Sequence, residues 1–312
     1  MAFSKTKDDG NTIYQLLAEA DETYSMLPNM RMEIEKVTLS LPEFGPRKLR
    51  RAGIGTEFFE ARAHRPGVDS KAPNARLSAR RGYPVVVENE AEIRQHFYLW
   101  RDSSKSTNWK SPKQSYTKKQ AEEIMLLALA KHLAKADELI GVLDRSGQYR
   151  GGKAPEYLAS QLVPQDDVTV VTGDMPSLGR QLPRNSTAVL FSDFLMKEEE
   201  LIASLDQLNG VGLKGYLVMV LDPMEIEFNG FKGHVKFNGL EGEGSKAFKR
   251  AEAMAKEYQA EIQRKIEFVK NLAEGKGFKF ILQRTDEPLH KGLLAVYGLA
   301  EETTASAPKP SL

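Results

Sequence analysis

Asp102, Ser104 and Ser106 stand at every second position just after an apolar run, Phe97-Tyr98-Leu99-Trp100. One carboxylate and two hydroxyls leaving a strand end on a tight loop can be aimed at a common point, and a hard cation such as magnesium takes that kind of oxygen set. Asp193 follows the apolar residues 188–191 and Ser192, and Asp222 follows residues 215–221, so three aspartates each close an apolar segment. In a parallel sheet all three would emerge along one edge.

The elements that must hold these residues are readable from periodicity. Residues 97–100 are too few for a helix and show no polar alternation, which predicts a strand covered on both faces. Short apolar runs at 138–143, 168–171, 188–191, 215–221 and 278–282 repeat the pattern. Residues 118–136 predict a helix, apolar almost all round over 124–130 and therefore buried. Residues 155–162 and 195–208 predict shorter helices. Phe248, Ala251, Ala255, Tyr258, Ile262, Ile266 and Val269 fall at three- and four-residue steps, so one long helix is expected over 245–274, with Ser245 capping its start and Gly275 its end. Alternating strands and helices predict an α/β fold, a doubly wound and mostly parallel sheet whose ligands sit where the winding reverses.

The flanks are less regular. A short helix is expected at 12–20 and strands at 32–41, 57–63 and 83–88. The prolines and glycines of residues 42–58 predict a loop, and residues 68–81 are small, polar and basic. Residues 225–239 predict a polar hairpin turning at Asn229-Gly230, with Glu225 solvated. The tail, 301–312, has no apolar anchor and is expected to be disordered.

Composition narrows the function classes. With no cysteine among 312 residues there is no disulfide, thiolate metal site or cysteine nucleophile, which is compatible with a cytoplasmic location. No signal peptide pattern opens the chain and no stretch approaches the roughly 20 apolar residues of a membrane span, so a soluble protein is expected. Net charge is +1, yet positions 46–119 hold 17 Lys or Arg against 7 Asp or Glu. That asymmetry suits either an acidic partner or compensation inside the fold. Arg47, Lys48, Arg50, Arg51, Arg76, Arg80 and Arg81 could track phosphates, but no aromatic residues are interleaved for base stacking, which argues against a single-strand nucleic-acid platform. The five histidines never take HxxxH or HExxH spacing, and neither a GxSxG elbow nor a Walker A loop occurs.

The ordered blocks EFFEARAHRPGVDSKAPNARLSARRGYPVVVENEAE, LWRDSSKS, VLFSDF and LVMVLDPMEIEF resemble the bacterial family catalogued as domain of unknown function 58, a relative of von Willebrand factor A domains. The likeness runs over residues 41–299. It implies a Rossmann-like A-domain fold with a metal-ion-dependent adhesion site holding magnesium, its DxSxS pattern met by Asp102, Ser104 and Ser106 and its later sheet aspartate by Asp193. It also implies a non-enzymatic adaptor working with a MoxR-type AAA+ ATPase. On this reading residues 1–27 form a variable segment, 28–92 a β-rich signature segment and 93–300 the A-domain-like body.

Two departures stand out. The family signature PGDDxRxIDWxxSAR is reduced here to Pro66-Gly67-Val68-Asp69, Pro73-Asn74-Ala75 and Ser78-Ala79-Arg80, leaving Asp69 and Arg80, with Asp222, as candidate partner contacts. The threonine that A domains supply after the second strand is absent from Tyr149-Arg150-Gly151-Gly152-Lys153, and Thr172 lies further on. A metal-dependent hydrolase or phosphotransferase is the alternative from another class, since carboxylates around magnesium can orient water or phosphate. The sequence nominates no general base for it.

Overall fold

Five parallel strands form the central sheet, and its inner strands are apolar on both faces and so must be covered twice. The computed structural model describes residues 8–27, 47–67, 69, 72–93, 95–162, 175–176, 182–183, 186–228, 235–238, 245–248 and 251–296. Ahead of the sheet lie helix α1 (Asp8–Ser25), strand β1 (Arg47–Ala63), helix α2 (Ala75–Arg81) and strand β2 (Val85–Ile93). The sheet is built from β3 (His96–Arg101), β4 (Leu139–Val142), β5 (Ser186–Ser192), β6 (Lys214–Leu221) and β9 (Phe278–Arg284), in the order β4-β3-β5-β6-β9. Between them run α3 (Lys118–Lys135), α4 (Ala154–Leu162), α5 (Glu198–Gly210), α6 (Pro223–Glu227), a small hairpin of β7 (Val235–Asn238) and β8 (Ser245–Phe248), and α7 (Ala251–Gly275). Helix α8 (His290–Val296) closes the described chain.

Alternate side chains on each strand enter two separate cores. Phe97, Leu99, Val189, Phe191, Val218 and Val220 pack with α1, α3, α4 and α8 on one face. Tyr98, Trp100, Ala188, Leu190, Leu217 and Met219 pack with α5 and α7 on the other. Helix α3 is buried on every side from Ala121 to Ala130. One side lies on the sheet and the other is covered by α1, whose Leu16 and Ala20 join the same core. The apolar stripe of α7 buries Ile262, Ile266, Val269 and Ala273.

The chain runs from β3 outward to β4 and then returns to place β5 on the other side of β3. The winding therefore reverses between β3 and β5, the strands that deliver Asp102 and Asp193. This is the α/β, Rossmann-like, doubly wound architecture expected of an A-domain-type chain.

Several flanking expectations need correction. The loop expected over 42–58 is strand from Arg47 onward: β1 pairs antiparallel with β2, and three register shifts, two of them beside Gly53 and Phe58, absorb the irregular residues as bulges. Residues 75–81 are helical, with Asn74 accepting a hydrogen bond from the Leu77 N–H and Gly82 closing the turn at φ 74°. The first arm of the expected 225–239 hairpin is helical over 225–227, its turn at Asn229-Gly230 lies outside the described residues, and β7 pairs with β8, so Ser245 opens a strand instead of capping a helix and the long helix begins at Ala251. The expected strands at 32–41 and 168–171 and the tail at 301–312 lie outside the described residues.

Candidate functional site

The backbone N–H of Asp102 still donates to the Phe191 carbonyl at 2.9 Å, so this carboxylate leaves from the rigid end of the β3–β5 ladder. Its Oδ1 accepts from the Ser104 N–H at 2.6 Å and its Oδ2 from the Ser192 hydroxyl at 2.7 Å. Asp102 thereby ties its own loop to the end of β5. A 3-10 turn, Lys105–Asn108, then brings the Ser106 Oγ within 2.9 Å of the Ser104 Oγ, and the Ser106 hydroxyl donates to Asp193 Oδ2 at 2.8 Å. The Thr107 hydroxyl fastens the turn by donating to the Ser104 carbonyl. All four residues expected around a cation are thus brought together.

Three further charged residues belong to the cluster. Lys118, the first residue of α3, is 1% exposed and places its Nζ 2.8 Å from Asp193 Oδ2 and 2.6 Å from Glu225 Oε1. Burial works against its charge, but Asp193 and Glu225 more than offset this and hold its pKa above the ordinary lysine value. Glu225 is therefore no solvated hairpin residue: burial raises its pKa, with Lys118 opposing, and its Oε2 accepts the Asp222 N–H. One turn along α3, Glu122 is completely buried and neither carboxylate oxygen has a hydrogen-bond partner. Burial, then the charges of Asp102 and Asp193, drive its pKa well above the carboxylate range. Burial and Asp193 also push Asp102 up to about 6.

Lys118 and Glu225 sit 75 and 107 positions from their partners, beyond any local motif. A signal existed in α3, where Glu122 and Glu123 stand immediately before the segment 124–130 read as apolar almost all round. Glu123 is matched by Arg101, whose Nε lies 3.0 Å from its Oε1.

The candidate partner contacts separate. Asp222 is fully buried, its Oδ1 accepting from Met224 N–H and its Oδ2 from Ser111 N–H, both at 2.8 Å, so it caps α6 and pins the loop ahead of α3. Complete burial, with both oxygens engaged, keeps it from a partner. Asp69 accepts two hydrogen bonds from the Arg62 guanidinium, at 2.6 and 2.8 Å, and one from Arg65 N–H. Arg80 is exposed on the last turn of α2.

Two carboxylates and two hydroxyls have the right chemistry for magnesium, but Asp193 Oδ2 is already held by an ammonium and a hydroxyl. As placed, these residues do not fit a divalent ion. Among the described residues no group of three or more His, Cys, Asp or Glu side chains is set to hold a metal. Nor is any described helix long and apolar enough to cross a membrane.

A family model described as Protein of unknown function DUF58 matches residues 60–267. No curated protein matches the chain. Among solved structures, the crystal structure of the conserved hypothetical protein BatB from Bacteroides thetaiotaomicron is similar at 12% identity and a TM-score of 0.32, covering 65% of this chain and 97% of that one.

Proposed function

The chain belongs to the DUF58 family, and from that premise we propose that it is a non-enzymatic interaction module that docks a MoxR-type AAA+ ATPase on the carboxyl edge of its sheet. The observation that carries this reading is the cross-linking of the Asp102, Ser104, Ser106 and Asp193 side chains at the switch point between β3 and β5. It builds a fixed platform where open α/β sheets bind their ligands. Its outer rim is partly apolar and accessible: Lys105, Asn108 and Leu195 are exposed and Ser106 is half-buried.

The hydroxyls and carboxylates hold one another and the backbone, which suits a scaffold better than a reacting centre. Asp102, the carboxylate pushed up to about 6, is already engaged by the Ser104 N–H and the Ser192 hydroxyl, and His96 stands at the opposite end of β3, 2.9 Å from Gln148.

The test is co-purification of the tagged protein with a MoxR-type AAA+ ATPase from the same genome. Wild type retains the ATPase, and Lys105→Glu combined with Leu195→Asp, both on exposed positions, loses at least tenfold of it while melting as wild type does. Equal retention by the double variant, or none by wild type, overturns the proposal.

A further inference from the structure

The geometry points to Lys118 as the resident cation of this site: its tethered ammonium takes the place that a divalent metal holds in an adhesion site, so the wild-type pocket is metal-independent. This inference is separate from the adaptor reading, since it concerns what neutralises the carboxylates and not what docks above them.

Three observations support it. The ammonium contacts Asp193 and Glu225 directly, at 2.8 and 2.6 Å, and Asp193 Oδ2 receives the Ser106 hydroxyl as well. A magnesium ion on that oxygen, at its usual distance of about 2.1 Å, would lie no more than about 5 Å from the Lys118 nitrogen. Two cations that close in a buried pocket repel strongly.

The ammonium also has nowhere to go. Lys118 is 1% exposed and begins a helix fixed by a capping box, in which the Thr117 hydroxyl accepts from Gln120 N–H and the Gln120 side chain accepts from Thr117 N–H. Its own N–H donates to the Trp109 carbonyl. Finally, Glu122 is buried without a hydrogen-bond partner near Asp102 and Asp193, whose charges bear on it. With Lys118 removed, the pocket would keep Asp193 and Glu225 beside Asp102 and Glu122 and lose the ammonium that balances their charge.

Melting temperature is measured for the full chain after EDTA treatment and then across rising magnesium chloride, with manganese chloride as a second probe. Wild type is expected to melt at the same temperature throughout. Lys118→Ala is expected to melt lower without metal and to recover progressively once magnesium exceeds its dissociation constant, as binding to the folded state alone requires. That recovery should vanish in Lys118→Ala combined with Asp102→Ala.

A wild-type melting temperature that climbs with magnesium, and stops climbing in Asp102→Ala, overturns the inference. So does a folded Lys118→Ala that ignores both metals. Should Lys118→Ala fail to fold in every metal condition, direct titration of wild type with manganese by calorimetry decides: absence of binding heat supports a resident ammonium, and saturable binding refutes it.

Discussion

Asp222 shows how little freedom a strand-end acid has once it is buried. One oxygen caps α6 and the other holds Ser111 N–H across 111 positions of sequence. Asp222→Ala should remove both acceptors and leave a buried N–H unmatched, costing on the order of 2–4 kcal/mol. Chemical denaturation would register this as a lower midpoint with an unchanged slope, and a loss below about 0.5 kcal/mol would contradict the assignment. At this scale the sequence was partly legible. Asp102, Ser104, Ser106 and Asp193 could be grouped because each lies just beyond an apolar strand. Lys118 and Glu225 could not, because an ion pair between distant positions leaves no local pattern. Asp222 was offered as a partner contact and proves to be internal mortar.

Helix α3 links the site to the outer helical layer. At its far end His132 packs near the Tyr24 ring of α1, and burial, with the charge of Lys135 adding to it, lowers its pKa to about 4. The unfolded chain takes up this proton near pH 6.5 while the folded chain declines it until about pH 4. Its contribution to stability is therefore intact above pH 6.5 and drains away as pH falls, by up to about 3 kcal/mol at the usual conversion of 1.36 kcal/mol per unit. Melting curves of wild type and His132→Gln between pH 4 and 7 should diverge on that basis, the variant showing the shallower decline; parallel curves would contradict it. Elements buried on both faces were readable because their apolar runs sort by length, short ones such as 97–100 into strands and the longer segment around 124–130 into a helix. The β1–β2 ribbon was readable at 57–63 and 83–88 but not in its first half from Arg47, since a strand carrying Arg, Lys and Gly persists through its pairing partner and not through its own composition. Helix 245–274 was read too long for a related reason: β7 claims Ser245 to Phe248 as its partner strand.

Across the whole molecule, α1 is as much a part of the core as any sheet strand. It contributes Leu16, Ala20 and, just beyond its end, Leu27, and Asp21 pairs with Lys131. Removing residues 1–27 should cost on the order of 5 kcal/mol from lost apolar burial and leave α3 with an exposed apolar side that promotes association. A lower melting temperature and a larger particle in light scattering would verify this; an unchanged melting temperature and particle size would not fit. The charge asymmetry of the sequence is met in part inside the fold, where Lys118 from the basic stretch answers Asp193 and Glu225 from the acidic remainder. The segment from Asp102 to Lys118 is anchored at Ser106, Ser111 and Thr117 as well as at its two ends. A surface sewn down at so many stitches would offer the docking partner proposed above one ready-made shape. On that reading the tempo of capture would follow from encounter alone.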